Sequence, residues 1–217
     1  MVHRLQLKLG DDQAGSFIYP LTDADPNNAE RIRLALRMNG HVSSPLVFTG
    51  IFSPEECQKI MILSLHRRPR AGTMMYAKPN IRKSTIAWID IQEDSRWLYE
   101  KVWNTFQAVN RWFNFDLCGL VDEIQFATYA VGDSFGWHLD TGGGQTSTRK
   151  LSMSLQLCGD DEYSGGDLEI CACPQLDPRR RRGTIIVFPS FLAHRVTPVT
   201  RGSRCSLVAW AHGPVFK

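Results

Sequence analysis

The feature that most constrains the fold is a change after Leu117 from a helical rhythm to an alternating one. A period of two places alternate side chains on opposite faces of a strand and indicates a sheet with one buried face. Further short strand-like runs follow, separated by Gly, Asp and Pro turns. Strands this short and this numerous predict a double-sheet jelly-roll barrel. In the two clearest runs, Ile124, Phe126 and Thr128 alternate with Gln125, Ala127 and Tyr129, and Leu151, Met153, Leu155 and Leu157 alternate with serines and Gln156.

Two helices are predicted before the strand-rich half. Ser53 to Glu56 has the pattern of a helix start, with Ser53 as the cap, Pro54 in the first turn and Glu56 closing a capping box; this helix should end near His66. A second helix should begin near Ser95. Its apolar residues recur at spacings of three and four: Leu98, Val102, Phe106, Val109 and Phe113. We therefore predict a mainly β fold in which two helices pack on one sheet of the barrel.

Length and composition favour one barrel domain with an extension. A chain of 217 residues with 43% hydrophobic residues can bury one sizeable core. We assign residues 1–44 to an N-terminal extension and residues 45–217 to the barrel. The longest apolar runs of the chain are shorter than the ~18 residues that span a bilayer. The first ten residues lack the uninterrupted apolar stretch of a secretory signal. We therefore expect a cytoplasmic protein with no membrane contact, whose six cysteines are reduced thiols.

The segment Gly136-Trp-His-Leu-Asp140 indicates a metal site. Residues two apart in a strand point to the same face, so His138 and Asp140 can bind one ion. His194 from a remote strand would complete a set of two histidines and one carboxylate, which is the ligand set of non-haem Fe(II) oxygenases. His-x-Asp alone is common, and a lone His194 would more often be a hydrogen-bonded structural histidine. The combination of the three residues favours the metal site.

Arg204, ten positions after His194, is suited to bind an anion beside the metal. A guanidinium stays charged and forms two parallel hydrogen bonds with a carboxylate. A dicarboxylate that chelated the metal by one end would need such a partner for its far carboxylate, since a buried unpaired charge is costly. The competing interpretation of Arg204 is an ordinary salt bridge on the last strand.

Residues 45–213 resemble the prolyl 4-hydroxylase type of Fe(II)- and 2-oxoglutarate-dependent oxygenases, in particular the bacterial PKHD-like branch. The matching motifs lie in the second half of the chain. They are Tyr129-Ala-Val-Gly-Asp133, Trp137-His-Leu-Asp140, Asp161-Glu-Tyr-Ser-Gly-Gly-Asp-Leu168, Phe188-Pro-Ser190 and the run from His194 to Arg204.

The resemblance implies a ligand set and a reaction. His138, Asp140 and His194 would bind Fe(II), Arg204 would bind the distal carboxylate of 2-oxoglutarate, and Tyr129 would donate a hydrogen bond to this cosubstrate. With O2, and with ascorbate as an optional reductant, the enzyme would hydroxylate an unactivated C–H of a prolyl or other aminoacyl residue or of a free amino acid. Succinate and CO2 would be released.

Two positions argue against neighbouring activities. Halogenating relatives have a small residue in place of the carboxylate ligand, whereas Asp140 is present. Nucleic-acid demethylases have a second arginine six positions after the cosubstrate arginine, but Trp210 stands there and resembles a pocket-wall tryptophan of the hydroxylases; plain core packing is the alternative. The Arg179–Arg182 cluster is interpreted as a solvated loop tip rather than a nucleic-acid site.

Further residues are candidates for binding the substrate. Tyr76, Arg82 and Trp88 lie in a segment similar to one that borders the mouth of these enzymes, and Arg82 could bind a substrate carboxylate; a surface strand is the competing interpretation. Trp137 and Trp210 are further candidates for the pocket. The glycine-rich segment 141–149 favours a closing lid, with a long hairpin connection as the alternative.

The expected partner is a small molecule or a peptide, bound by a monomer or homodimer. Two alternatives stay open: a non-catalytic jelly roll that retains a metal, and a nucleic-acid-oxidising member of the same superfamily.

Overall fold

The structure, a computed structural model, describes residues 6–8, 44–67, 70–71, 81–171 and 181–216. Tyr76 lies outside these ranges. The helices are α1 (Pro54–Leu65) and α2 (Arg96–Phe113). The strands are β1 (Gln6–Lys8), β2 (Leu46–Thr49), β3 (Arg70–Ala71), β4 (Arg82–Lys83), β5 (Thr85–Ile89), β6 (Ile124–Tyr129), β7 (Ser134–His138), β8 (Arg149–Gln156), β9 (Tyr163–Gly165), β10 (Leu168–Ile170), β11 (Ile185–Pro189), β12 (His194–Val196), β13 (Val199–Gly202) and β14 (Arg204–His212).

Antiparallel strands form two main sheets, as the jelly-roll prediction requires. The larger sheet has the order β1-β2-β11-β8-β14-β6-β5-β3, and the smaller has the order β10-β12-β7-β4. Strands β13 and β9 pair with each other as a separate two-stranded ribbon. The predicted fold class is confirmed. The edge strand β1 comes from the N-terminal extension and pairs with β2.

Both helices begin close to the predicted residues. The capping box of α1 is formed, because Glu56 N–H donates to the Ser53 hydroxyl and Ser53 N–H donates to the Glu56 carboxylate. The apolar stripe of α2 is buried against the larger sheet. This layer of helices closes one face of the sheet, so the other face is free to enclose a site.

The alternating strands have two buried faces, not the single buried face that the sequence predicts. On β8, the apolar residues Leu151, Met153 and Leu155 pack in the helix-side core. Ser152 and Gln156, on the opposite face, are also buried. The same holds on β6, where Gln125 is 4% exposed. The polar face is covered by the smaller sheet rather than by water, because the two sheets close into a barrel.

The segment after Asp140 is compact. Gly144–Thr148 forms a 3-10 turn between β7 and β8. The hydroxyls of Thr146, Ser147 and Thr148 donate to backbone carbonyls within this segment. In the described ranges, no helix is long and apolar enough to cross a membrane.

Candidate metal centre

Three potential ligands converge at one end of the smaller sheet. His138 ends β7 and His194 begins β12, and the antiparallel register places them directly opposite each other. Asp140 follows β7 by two residues. Their ligand atoms all lie within 4.8 Å of one another. Pairing of strands that are distant in sequence therefore assembles the group.

Both histidines present the same nitrogen to the centre. Nδ1 of His138 lies 2.8 Å from the Gly136 carbonyl, and Nδ1 of His194 lies 2.9 Å from the Leu192 carbonyl. A carbonyl can only accept, so each Nδ1 carries the proton and each Nε2 has a free lone pair. Nε2 of His138 is 3.7 Å from Asp140 Oδ1, and Nε2 of His194 is 3.4 Å from Asp140 Oδ2. This tautomer is the one required for metal coordination through Nε2.

Asp140 is held by hydrogen bonds with two serines, one of which donates to its carboxylate while the other accepts from its backbone N–H. The Ser152 hydroxyl donates to Asp140 Oδ2 at 2.7 Å and lies 3.0 Å from the Ser190 hydroxyl. The Ser190 carbonyl accepts from the backbone N–H groups of Asp140 and Thr141. Both serines are fully buried. The orientation of the carboxylate is thus set by β8 and by the turn after β11.

The electrostatics of the centre favour a neutral imidazole beside a carboxylate. Burial, together with the neighbouring His194, lowers the pKa of His138 to about 4. Burial opposes ionisation of Asp140, but the two histidines and the Ser152 hydrogen bond together hold the pKa of its carboxyl below the ordinary value. A neutral His138 and an ionised Asp140, beside the Nε2 atom of His194, form a donor set that fits a divalent transition-metal ion.

A buried arginine lies in the same barrel. Arg204 begins β14, is 3% exposed and lies opposite Tyr129 of β6 in the register. Its Nη1 donates to the Ser206 hydroxyl at 3.2 Å, and its Cζ is 5.5 Å from the centre of the Tyr129 ring. Within the described part of the chain, no carboxylate pairs with Arg204, so the salt bridge considered for it is not found there.

A second guanidinium faces the barrel interior. Arg82 of β4 donates to Ser84 at 2.8 Å and to Gln125 at 3.1 Å, and its Cζ lies 4.6 Å from the centre of the Phe135 ring. Its Nη2 is buried and has no hydrogen-bond partner among the described residues. Burial lowers the pKa of Arg82, while the nearby Tyr129 and Asp140 oppose this shift.

Two tryptophans of the larger sheet, Trp88 on β5 and Trp210 on β14, lie close to each other. The ring centres of Trp88 and Trp210 are 6.2 Å apart. The indole N–H of Trp210 is buried without a hydrogen-bond partner in the described ranges, but it lies beside the Asp140 carboxylate and helps to lower the pKa of that group. Trp210 therefore adjoins the centre.

A network of charged side chains that the sequence does not predict lies behind Trp210. The Arg149 guanidinium lies 3.8 Å from the centre of the Trp210 ring and donates to the Asp140 carbonyl at 3.3 Å. Asp122 accepts from Arg149 Nε at 2.7 Å and from His212 Nε2 at 3.0 Å. The only sequence signal was the position of Arg149 at the start of an alternating strand.

The other residues singled out in the sequence lie outside the centre or outside the described ranges. Trp137 is 45% exposed, and Arg195 of the adjacent strand β12 lies over its ring, on the face opposite to His138 and His194. Tyr76, Arg179 and Arg180 lie outside the described residues. Arg182 forms an ion pair with Glu162.

The structure thus combines a jelly-roll barrel with two histidines and an aspartate at one end and a buried arginine inside. Comparisons with known proteins find similarity to one group of oxygenases. Residues 124–212 match the family model described as the 2OG-Fe(II) oxygenase superfamily. The resemblance that the motifs predict is therefore confirmed.

The relatives with similar sequences are named as hydroxylases. A PKHD-type hydroxylase from Synechococcus sp. strain CC9605 is 33% identical over 100 residues, covering 45% of this chain and 45% of the relative. One from Rippkaea orientalis strain PCC 8801 is 37% identical over 94 residues, covering 42% of each chain. The chain thus spans less than half the length of these relatives.

Solved structures share the fold at low sequence identity. A prolyl-4-hydroxylase from Pseudomonas putida superposes with a TM-score of 0.63 at 20% identity, covering 84% of this chain and 99% of that one. A prolyl hydroxylase from Trichoplax adhaerens, solved with a peptide fragment of the hypoxia-inducible factor, has a TM-score of 0.65 at 16% identity, covering 86% and 90%.

Proposed function

We propose that this protein is an Fe(II)- and 2-oxoglutarate-dependent dioxygenase that hydroxylates an unactivated C–H of a prolyl or other aminoacyl residue or of a free amino acid. The observation that carries the proposal is the pairing, in one barrel, of a metal-ligand triad with a buried Arg204 that has no carboxylate partner among the described residues. A buried charge of this kind requires an anion.

His138, Asp140 and His194 would hold Fe(II) through two Nε2 atoms and one carboxylate oxygen. The fit rests on the free Nε2 lone pairs and on the hydrogen-bonded carboxylate. Three protein ligands leave coordination positions for a cosubstrate and O2. The bound iron would supply the oxidative chemistry, in which 2-oxoglutarate is converted to succinate and CO2 as the substrate gains a hydroxyl.

Arg204 would bind the distal carboxylate of 2-oxoglutarate by a pair of charge-assisted hydrogen bonds. Tyr129, which lies opposite Arg204 on the neighbouring strand, would donate its phenolic hydrogen to the same cosubstrate. Ser206 holds one edge of the guanidinium and so orients the other donors. The barrel walls exclude water from this end of the site.

Arg82 is our candidate for the substrate anchor. Ser84 and Gln125 fix its guanidinium, while its buried Nη2 still lacks an acceptor. A carboxylate or carbonyl oxygen of the substrate would provide one. Trp88 and Trp210 would form an apolar wall beside it. A prolyl or aminoacyl group matches this combination of one donor and an aromatic surface.

The proposal is tested by measuring succinate release from 2-oxoglutarate with Fe(II) and O2, and by screening amino acids and peptides for a mass gain of one oxygen atom. Fe(II)-dependent release is expected from the native protein. His138→Ala and Asp140→Ala should release none, although circular dichroism should show that they fold. A native protein that binds metal but never turns over 2-oxoglutarate would instead be a non-catalytic binding module.

Nucleic-acid oxidation is separated by a second variant. Replacing Arg179 to Arg182 with serine should leave turnover of the amino-acid or peptide substrate unchanged. Activity that is found only on nucleic acid, and that is lost in this variant, would overturn the assigned substrate class.

A further inference from the structure

Two thiols lie directly behind the proposed cosubstrate arginine. Cys205 follows Arg204 on β14, and Cys158 lies just beyond the end of β8. Leu157 N–H donates to the Cys205 carbonyl at 3.1 Å, so the pairing of the two strands continues up to the cysteines. The register that pairs Ser206 with Gln156 sets Cys205 opposite Leu157, so Cys158, one residue further along, is its diagonal neighbour. The Cys158 sulfur already lies 3.0 Å from the Cys205 backbone nitrogen, and a disulfide requires this sulfur to turn toward the Cys205 side chain.

The Cys158 sulfur contacts the peptide groups on both sides of Arg204. It accepts from the Cys205 backbone N–H at 3.0 Å, and its thiol donates to the Ser203 carbonyl at 3.6 Å. Cys158 is 3% exposed, whereas Cys205 is half-buried. Any reaction that moves the Cys158 sulfur would therefore remove two contacts that hold the backbone of Arg204.

The two thiols have different acidities. The interaction with Cys158, supported by the Thr128 hydroxyl and the charge of Arg204, lowers the pKa of Cys205 to about 7. The interaction with Cys205 and burial raise the pKa of Cys158. Because Cys205 is also the more exposed of the two, it is the attacking thiol, and the buried Cys158 is the resolving thiol.

We propose that Cys205 and Cys158 form a peroxide-sensitive thiol pair whose disulfide weakens the hold of Arg204 on its anion. The Cys205 thiolate takes one oxygen from hydrogen peroxide and becomes a sulfenic acid, with hydroxide as the leaving group. The Cys158 sulfur then attacks the sulfenic sulfur and displaces its hydroxyl, while the thiol proton is lost. Two thiols are oxidised and one peroxide is reduced to two waters.

Peptide mapping tests the thiol chemistry independently of activity. The full-length reduced protein is treated with hydrogen peroxide, alkylated, digested and analysed by mass spectrometry. A linked peptide containing Cys158 and Cys205, absent after dithiothreitol treatment, is expected. Cys158→Ser should accumulate a sulfenic acid at Cys205 that dimedone traps, and Cys205→Ser should leave Cys158 unmodified.

Cys118→Ser is the matched control, because Cys118 is exposed and lies away from Arg204. Its substitution should not change the yield of the linked peptide. Peroxide that modifies Cys118 or Cys171 while Cys158 and Cys205 stay reduced would overturn the proposal. The same is true of a Cys158→Ser protein whose Cys205 gives no dimedone adduct.

The effect on Arg204 rests on the proposed function and is measured separately, as 2-oxoglutarate affinity of the Mn(II)-loaded protein. Oxidation should weaken binding about tenfold or more, the equivalent of one charge-assisted hydrogen bond. Dithiothreitol should restore binding, and Cys205→Ser should be insensitive to peroxide. A disulfide that forms without changing the affinity would overturn control of Arg204. If even the reduced protein fails to bind 2-oxoglutarate, the proposed function fails, but the peptide map still decides whether the thiols react.

Discussion

Arg204 and Asp140 carry the proposed site, and each depends on a serine. Ser206 holds the guanidinium of Arg204, and Ser152 holds the carboxylate of Asp140. Both serines are buried on the polar face of their strands. A buried hydroxyl with a charged partner fixes orientation at little entropic cost, since serine has one side-chain rotor. Substitutions at these positions should therefore act on ligand affinity more than on folding.

Arg204→Lys should raise the KM for 2-oxoglutarate by about tenfold or more, because a point charge replaces a pair of directed hydrogen bonds. Steady-state succinate assays measure this change. Arg195→Lys is the control, since Arg195 is paired with Glu169 on the outer face of the smaller sheet. Equal kinetics for native protein and Arg204→Lys would remove Arg204 from the cosubstrate site.

Ser152→Ala should weaken metal binding by about 10–100-fold, the usual effect of losing a partner that orients a metal ligand. Calorimetric titration with Mn(II) is a suitable measurement. Ser154→Ala, two residues further along β8, serves as the control and should bind metal as the native protein does. Metal affinity that Ser152→Ala leaves unaltered would mean that the turn after β11 alone orients Asp140.

At the level of elements, the turn between β9 and β10 leaves room for the side chain of Arg204. Gly165 and Gly166 both have positive φ, at 69° and 64°. A Cβ on Gly166 would lie 3.1 Å from the Cδ of Arg204 and 2.9 Å from a methyl of Val199. The absence of a side chain at position 166 thus leaves the space that Arg204 occupies.

Gly166→Ala should lower both the stability and the affinity for 2-oxoglutarate. Gly50→Ala is a matched control, because Gly50 has a φ of 76° and no atom lies within 4 Å of a Cβ built there. Both variants should lose about 1 kcal/mol from the left-handed backbone, measured by urea denaturation. Only Gly166→Ala should also weaken 2-oxoglutarate binding, and an equal affinity in the two variants would contradict the role of this turn.

For the molecule as a whole, the metal should act as a link between distant parts of the chain. His138 and Asp140 lie more than fifty residues before His194, so the complete ligand set exists only in the folded barrel. A ligand that binds only the folded state stabilises it in proportion to the logarithm of its concentration.

The melting temperature should therefore rise with Mn(II) concentration, corresponding to about 2.7 kcal/mol at one hundred times the Kd. Thermal unfolding followed by circular dichroism at several Mn(II) concentrations measures this shift. The Asp140→Ala protein should melt at the same temperature with and without Mn(II). A native protein that behaves like this variant would refute a metal site at the triad.

The local sequence determined much of this protein. The capping residues and apolar stripe located α1 and α2, and the alternation located the barrel strands. His-x-Asp predicts that His138, the last residue of β7, and Asp140, two residues later, lie on the same side of the chain, because strand geometry fixes which side chains share a face. The position of Arg204, ten residues after His194, predicts an anion site beside the metal ligands.

Only the tertiary structure decided which strands are neighbours. Closure of the sheets buried the polar face of β8, which the alternation alone placed toward solvent. It also brought Ser152 and Ser190 to Asp140, placed Arg149 over Trp210, and turned Trp137 outward. The physical reason is that strand pairing joins residues far apart in sequence, and the period of a strand carries no information about which partner will lie beside it.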